Sequence, residues 1–463
     1  MDAASPPDPV ISASTLDCLL AECFGRPKAY CELGRLCDTV GGRTSGAESG
    51  RLAEEWSRAL FADWGLDRVW FEEFPVAVWQ RGPLEAEVLG PSSWRLTALA
   101  HGNSPASADL QAEVLDVGHG DREDFERLRE RVPGAVALCD EGAAPGKRAL
   151  HRSEKLALAA EFGAAGLMIY SSAAGPLPRT GVCADNFAPI PSLGIGLEDG
   201  ERLLRQIRSG LSPSVRIRMT NRVGTGTARN VLARLDGRDS DEVVLAGAHL
   251  DSWDVAQGAV DNGLGCAIVL EAARALAALG ERPRRNIVFA LWAAEEVGIC
   301  GSYEYARTHR DELAKHTAVM NFDMTGDPYG YWTPMRQEPE PMLRGLARQL
   351  APVGMREEFA YEPGLHSDHQ AFMLAGVPVV CLMAKLPNDA GRYYHSAGDT
   401  FDKVSQPAMC RAAMVAAATL WALADSPEPP MRHLTADEIR RHMEKASLLE
   451  ALNEKDWVLG PPA

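Results

Sequence analysis

The 463-residue sequence has no uninterrupted apolar run of about 18 residues, the length that a membrane-spanning helix needs. Its start, MDAASPPDPVISAS, has no basic region followed by an apolar stretch, so no secretory signal is predicted and we expect a cytoplasmic protein. A secreted or periplasmic location stays open if a leading segment has been removed. Positive charge is also scarce, because 47 Lys and Arg face 64 Asp and Glu, giving a net charge of -17. A surface this acidic repels phosphate groups, so neither nucleic acid nor a membrane is an expected partner.

Several catalytic and metal-binding motifs are missing. None of the ten cysteines belongs to a C-x-x-C pair, which argues against a thiolate zinc site or a redox dithiol. Most cysteines have apolar neighbours, as in VALCD and VVCLM, and this predicts buried free thiols. The motifs H-E-x-x-H and G-x-S-x-G do not occur, so zincin and serine-hydrolase chemistry is unsupported.

The chain divides into segments that differ in composition and in the spacing of their apolar residues. Residues 1–14 are polar and Pro-rich and predict a flexible tail. Residues 15–80 predict helices followed by one strand, because their apolar residues recur at helical spacing. Residues 81–218 alternate short apolar runs with Gly/Pro turns, which predicts a β-rich inserted domain. We assign residues 15–80 and 219–463 to one domain that the insert interrupts.

Strands and helices alternate along this second part of the chain, beginning with DEVVLAGAHLDSW and GLGCAIVLEAARALAALG. The strands are almost wholly apolar, as expected when both faces of a sheet are covered. We therefore predict an α/β fold with a mixed, mostly parallel sheet sandwiched by helices, plus the β-rich insert. Ligands of such folds gather at the carboxyl ends of the strands, and polar, acidic residues follow the strands here.

Histidines and carboxylates follow four of the predicted strands or their adjoining loops. They are His249, Asp261, the pair Glu295 and Glu296, Asp323 and His395. Each alone has an ordinary structural explanation, such as a surface loop or a helix N-cap. Together at one edge of a sheet, buried carboxylates would repel one another, and a pair of divalent cations would offset that repulsion. Two imidazoles and three carboxylates suit zinc and also allow cobalt or manganese.

The order HLDSWDV, AVDNG, AAEE, NFDMTG and YYHSAGDT resembles the M28 family of di-zinc exopeptidases. The segment GAAGLMIYSSAAG, with the PIPSLGIGLEDGERLL that follows, resembles the protease-associated domain inserted in several peptidase families. The M28 resemblance implies two Zn²⁺ per chain and five metal ligands. His249 and Asp323 would hold one metal, Glu296 and His395 the other, and Asp261 would bridge both.

The same resemblance implies that Glu295 is the general base, free of either metal. It also implies a cis peptide bond between Asp261 and Asn262, and a homodimer. Asp251 follows His249 by two residues and is placed to orient that imidazole, so we assign it to catalysis with Glu295. Asp399 is expected to orient the second imidazole in the same way.

One departure concerns the substrate site. Some relatives carry a tyrosine three residues before the Ser-Asp of a motif like Ser367-Asp368-His369, and here that position is Gly364. Tyr361, His366 and Tyr394 are the candidates to replace it as a hydrogen-bond donor to the reacting carbonyl. We assign Tyr394, His366 and Asp368 to substrate binding.

The predicted function is hydrolysis of the amide bond of dipeptides or short peptides by a two-metal exopeptidase. Three alternatives stay open, namely an amide hydrolase for another small molecule, a glutaminyl-cyclase-like enzyme with one zinc, and a non-catalytic binding module of the same fold. No single Arg or Asp marks recognition of a free N-terminus or a free C-terminus. The resemblance implies that the insert flanks the cleft and restricts it to small substrates.

Overall fold

The computed structural model describes residues 10–90, 92–185 and 187–452. This part of the chain forms sixteen β-strands and twelve α-helices, numbered along the chain. The strands are β1 (Arg68–Gln80), β2 (Leu84–Leu89), β3 (Trp94–Arg95), β4 (Ala98–Ala100), β5 (Ser107–Asp116), β6 (Val136–Asp140), β7 (Gly166–Tyr170), β8 (Ser192–Ile195), β9 (Ser214–Thr220), β10 (Arg222–Leu235), β11 (Val243–His249), β12 (Asn286–Trp292), β13 (His316–Asn321), β14 (Asp327–Trp332), β15 (Phe359–Ala360) and β16 (Val379–Lys385). The helices are α1 (Ala13–Leu20), α2 (Ala29–Thr39), α3 (Glu48–Asp63), α4 (Arg122–Arg127), α5 (Arg152–Glu161), α6 (Leu197–Arg208), α7 (Leu264–Ala277), α8 (Cys300–Thr308), α9 (Glu340–Gln349), α10 (His369–Leu374), α11 (Gln406–Asp425) and α12 (Ala436–Lys445).

The larger unit is built on an eight-stranded sheet in the order β1-β10-β12-β11-β13-β16-β14-β15. Its centre is parallel, because β12, β11, β13 and β16 run in one direction. The pairs β1 with β10, β10 with β12 and β14 with β16 are antiparallel, and β15 at the far edge is parallel to β14. Pro75 lies within β1, at the edge of the sheet, where a missing N–H costs no ladder hydrogen bond. The predicted mixed, mostly parallel sheet is confirmed.

Helices cover both faces of this sheet, as the almost wholly apolar strands predict. Val244 and Ala246 of β11 point to one core, shared with α2, α7 and α11, whereas Leu245 points to the other, shared with α8, α10 and α12. The long helix α11 is apolar enough to pass as a membrane span by length and composition, but 89% of its most apolar window is buried inside the protein. Packing against the sheet accounts for that composition.

The second sheet contains the strands between residues 84 and 220, in the order β3-β2-β9-β5-β6-β7-β8-β4. It is curled and packs around two apolar clusters, the first of which also takes in Trp253 from the larger unit. The chain leaves the larger sheet at the end of β1 and returns at the start of β10. These two ends pair directly, Gln80 with Arg222.

The N-terminal segment packs on the larger unit from Val10 onward. The predicted tail, residues 1–14, has its first nine residues outside the described part of the chain. Within the described part, Ile11 is 2% exposed, Ser12 caps α1, and α1 begins at Ala13, inside the range predicted to be flexible. All ten cysteines are described and are free thiols, seven of them buried.

Candidate metal centre

The carboxyl ends of the parallel strands bring the predicted metal ligands to one edge of the larger sheet. His249 is the last residue of β11, and Glu295 and Glu296 follow the end of the neighbouring β12. Asp323 follows β13 on the other side of β11. Neighbouring parallel strands end side by side, so these side chains converge.

Two further ligands come from loops on the same edge. Asp261 lies in a short π-turn (Ala259–Gly263) before α7, and the peptide bond between Asp261 and Asn262 is cis. His395 follows a 3₁₀ segment (Pro387–Tyr393) and has a positive φ of 53°.

The five side chains form two groups that share Asp261. Its Oδ1 lies 3.2 Å from Nε2 of His249, and its Oδ2 lies 3.1 Å from Nε2 of His395. Asp323 Oδ1 completes the first group, 3.5 Å from His249 Nε2, and Glu296 Oε2 completes the second, 2.9 Å from His395 Nε2. Within each group the potential ligand atoms lie within 4.8 Å of one another.

The buried charges of this cluster fit a pair of divalent cations. Burial raises the pKa of Glu295 well above its usual range and that of Glu296 to about 7, and neighbouring carboxylates add to both shifts. Burial alone would lower the pKa of His395, but Glu296 and Asp261 raise it to about 9. The other oxygen of Glu296, Oε1, is buried and has no hydrogen-bond partner among the described residues. Carboxylates this crowded bind cations because positive charge relieves their repulsion.

Both imidazoles turn the same nitrogen toward the cluster. Nδ1 of His249 lies 3.0 Å from the main-chain carbonyl of Asp251, and Nδ1 of His395 lies 3.3 Å from that of Thr180. A carbonyl only accepts, so each Nδ1 carries a proton, and in the neutral ring that a metal binds Nε2 keeps its lone pair.

Asp251 and Asp399 have hydrogen-bond partners other than those that the sequence suggested. The carboxylate of Asp251 does not hold the ring of His249, since Oδ1 lies 3.8 Å from Nδ1. It accepts instead from the main-chain N–H groups of Glu295 and Glu296, at 3.0 and 3.1 Å. Asp399 likewise does not touch His395, and its two oxygens accept from the N–H groups of Val260 and Asp261. Each carboxylate therefore fixes the backbone that carries a site residue.

A fully buried arginine joins two of the loops that carry ligands. Arg43 has an exposed fraction of 0%, and its guanidinium donates to the carbonyl of Leu250 at 2.6 Å. It also donates to the carbonyls of Gln257 and Gly258, at 2.7 and 2.8 Å. The first carbonyl follows His249 directly, and the other two precede Asp261 by a few residues, so one cation holds both loops.

The metal centre opens into a cavity of about 1030 Å³. The catalytic unit supplies its floor, and the insert supplies one wall, including His151 and Arg152 at the start of α5. Tyr394 lines the cavity and stacks on His395 with ring centroids 3.6 Å apart, whereas His366 stacks on His151 at 5.0 Å. These two predicted substrate residues therefore face the space that a substrate would occupy.

Two other expectations for the substrate site differ from the structure. Asp368 is 1% exposed and does not line the cavity, and its Oδ1 accepts from the hydroxyl of Ser302 at 2.5 Å. Its side chain is buried outside the lining of the cavity, so the structure does not support a substrate contact at Asp368. Tyr361 donates its hydroxyl to Glu340, away from the cavity. At Gly364, a Cβ atom would lie 2.9 Å from the ring of Trp332, so this position has no room for a side chain.

The insert contributes residues that the sequence did not single out. Arg152 lies with Nη2 3.4 Å from Nδ1 of His395, and Thr180 contacts the same ring through its main chain. Arg152 is the first residue of α5, and Thr180 lies in the loop between β7 and β8, so neither carries a local signal. Their position depends on how the insert packs on the larger unit, and a periodic pattern in the sequence does not predict that packing.

Comparison with known proteins agrees with this arrangement. Residues 230–420 match Peptidase family M28, and residues 99–203 match the PA domain. Carboxypeptidase Q of Mus musculus is 30% identical over 414 residues, which are 87% of this chain and 86% of that protein.

Solved structures agree over most of the chain. A peptidase M28 precursor from Shewanella amazonensis SB2B superposes with a TM-score of 0.80 at 27% identity, covering 91% of this chain and 99% of that one. BSAP, a zinc aminopeptidase from Bacillus subtilis, has the same fold at 22% identity, with a TM-score of 0.66 and coverage of 89% and 98%. The alternating strands, the two ligand groups around Asp261 and these comparisons agree, and the chain belongs to peptidase family M28, with a PA domain inserted in its catalytic unit.

Proposed function

We propose that the protein is a two-zinc exopeptidase that hydrolyses the amide bond of dipeptides or short peptides. One observation carries the proposal: the two oxygens of Asp261 face two different imidazoles, each with its own second carboxylate. His249 and Asp323 would hold one zinc, Glu296 and His395 the other, and Asp261 would bridge them. Bound zinc ions polarise the scissile carbonyl and activate a water. The donor set also accepts cobalt or manganese.

Glu295 is our candidate for the general base. It belongs to neither ligand group, yet it lines the cavity, with Oε2 3.9 Å from Nε2 of His249. Asp251 holds the N–H groups of both glutamates, so the two adjacent side chains are fixed in different directions. Glu295 accepts the proton of the attacking water at its carboxylate and delivers it to the leaving amine.

Tyr394 is our candidate for the donor to the developing oxyanion. Its ring stacks on His395 at the cavity wall, and burial raises the pKa of its hydroxyl above the usual value, so it stays protonated and able to donate. His366 lines the same cavity and stacks on His151 of the insert.

The size and walls of the cavity support a short substrate. About 1030 Å³ is near the upper end for small-molecule sites. The insert and residues 450–452 both contribute to the lining, which leaves little room for a long chain to extend.

The test compares two adjacent glutamates. We expect Glu295→Gln to lower kcat about 10²–10⁴-fold on a dipeptide while the protein still binds two zinc ions, because only the proton acceptor is lost. Glu296→Gln is the matched control, and we expect it to lose the second zinc as well as activity. Metal content is measured on both variants by inductively coupled plasma mass spectrometry. Activity preserved in Glu295→Gln with full metal content would refute its role as base.

Metal stoichiometry and a dipeptide library separate this proposal from its competitors. One tightly bound zinc in the wild-type protein would favour a cyclase-like reaction. Two bound metals without turnover on any dipeptide would favour a binding module. The library also reports whether a blocked N-terminus or a blocked C-terminus abolishes hydrolysis.

A further inference from the structure

The insert holds one of the predicted metal ligands directly. The N–H of Thr180 donates to the main-chain carbonyl of His395 at 2.8 Å, and the carbonyl of Thr180 faces Nδ1 of the His395 ring at 3.3 Å. One residue of the insert thus contacts both the backbone and the side chain of His395. Thr180 itself is fully buried, with an exposed fraction of 0%.

The carbonyl of Thr180 competes with Arg152 for the same ring nitrogen. Arg152 only donates, so its contact at 3.4 Å is a hydrogen bond only when Nδ1 is unprotonated and Nε2 carries the proton. That tautomer cannot bind a metal through Nε2. The carbonyl of Thr180 selects the opposite tautomer, in which Nε2 is free to face Asp261 and Glu296.

Arg81 fixes the position of Thr180. It is the first residue after β1, where the chain enters the insert, and its Nη2 donates to Oγ1 of Thr180 at 3.0 Å. Its Nη1 donates to the carbonyl of Ala100, which also accepts from the Thr180 hydroxyl at 3.0 Å. Its remaining N–H bonds go to Asp254 in the loop that follows His249, at 3.0–3.2 Å. One guanidinium therefore links two segments of the insert to the catalytic unit.

Aromatic contacts continue the same link. The guanidinium of Arg81 lies over the rings of Trp79 and Trp253, 5.0 and 5.9 Å from their centroids. Trp253 meets His395 edge-on at 6.0 Å, and it packs so closely on Gly102 of the insert that a Cβ there would lie 2.1 Å from the ring. Arg81 thus supports two of the groups that contact the His395 ring, the Thr180 carbonyl and the Trp253 ring.

We propose that Arg81 is a positioning residue for the second metal site, because it holds Thr180 where its carbonyl turns Nε2 of His395 toward Asp261 and Glu296. The insert is then part of the metal centre as well as a wall of the cavity. This inference rests on the two-metal centre of the proposed function.

The test is a zinc titration of Arg81→Met by chelator competition. We expect the affinity for zinc at the site of Glu296 and His395 to fall about tenfold, at the low end of the effect of outer contacts on metal affinity. The affinity for zinc at the site of His249 and Asp323 should stay unchanged. Arg285→Met is the matched control. The side chain of Arg285 is 4% exposed, and it pairs with the half-exposed Glu242 and with the main-chain carbonyl of Ser426. It resembles Arg81, whose side chain is 10% exposed and pairs with the half-exposed Asp254. Arg285 precedes β12, at the opposite end of that strand from the metal ligands, so we expect both zinc affinities to stay at the wild-type values.

Two variants of Thr180 show whether the effect passes through this residue. Thr180→Ser keeps the hydroxyl that Arg81 and Ala100 contact, and we expect wild-type zinc affinity. Thr180→Val loses that hydroxyl at nearly the same volume, and we expect a loss of second-site affinity similar to that of Arg81→Met. Equal zinc affinity in Arg81→Met and the wild type, or an equal loss in Arg285→Met, would overturn the proposal. Zinc binding decides this question independently of turnover, so a protein that binds two zinc ions but cleaves no peptide would contradict only the proposed function.

Discussion

Replacing Arg43 by Met removes the cation that joins the loop after His249 to the loop before Asp261. The buried carbonyls of Leu250 and Gly258 and the partly buried carbonyl of Gln257 then lose this donor. An unsatisfied buried polar group costs about 1–3 kcal/mol, and relaxation lowers the sum, so we expect a loss of about 4 kcal/mol in the free energy of unfolding. For a cooperative unit of about 300 residues, this corresponds to a drop of about 6 °C in Tm.

The structure also predicts a loss of metal affinity at both sites, because Arg43 fixes one ligand of the first site and the bridging residue. Calorimetry of the metal-free protein measures the stability, and zinc titration measures the affinities. Arg43→Lys is the intermediate variant, because one ammonium group reaches fewer carbonyls than the planar guanidinium does. We expect its stability and zinc affinities to lie between those of Arg43→Met and the wild type. Arg285→Met serves again as the control, with lower Tm but unchanged zinc affinity. An Arg43→Met protein that melts within about 1 °C of the wild type and binds both zinc ions normally would show that the loops hold their positions without this cation.

Three further predictions concern single side chains. Asp251→Asn leaves one acceptor for two N–H groups, so we expect kcat to fall at least about tenfold with both zinc ions retained, and unchanged kcat would contradict the role of Asp251 in placing Glu295. Tyr394→Phe is expected to lower kcat about 10²–10³-fold with little change in KM, whereas a change in KM alone would exclude Tyr394 as the oxyanion donor. Burial lowers the pKa of His316 to about 4. Below pH 6.5 the unfolded chain therefore binds a proton at this histidine that the folded protein does not bind, and the free energy of unfolding decreases as the pH falls from about 6.5 to about 4. This linkage lowers the free energy of unfolding by about 2 kcal/mol at pH 5. Between pH 7 and pH 5, we therefore expect the free energy of unfolding of His316→Gln to fall by about 2 kcal/mol less than that of the wild type, as measured by denaturant titration.

The fold and the ligand set were accessible from the sequence because both follow short-range rules. Nearly continuous apolar strands predicted a sheet covered on both faces, and the structure has one. Parallel strands end at one edge, so the polar residues directly after β11, β12 and β13 had to lie near one another. The resemblance to M28 peptidases added the expected division of the ligands between two metals and the expected role of Glu295 as the base.

The partners of the supporting residues were not accessible in the same way. Asp251 and Asp399 were both expected to hold an imidazole, and both accept main-chain N–H groups instead. Which atom a carboxylate meets depends on loop dihedral angles, such as the positive φ of His395, that no periodic pattern encodes. Asp368 shows the same limit, because it shares a motif with residues of the cavity wall but its side chain turns to Ser302.

The pairing of Gln80 with Arg222 makes the whole insert the connection of one β-hairpin. Strand ends this close could be joined by a tight turn, so the larger sheet would keep every ladder bond if the intervening chain were absent. What such a shortened protein would lack is the main-chain oxygen opposite the ring of His395. A minimal catalytic unit would therefore need a new acceptor for that ring to keep Nε2 of His395 turned toward Asp261 and Glu296.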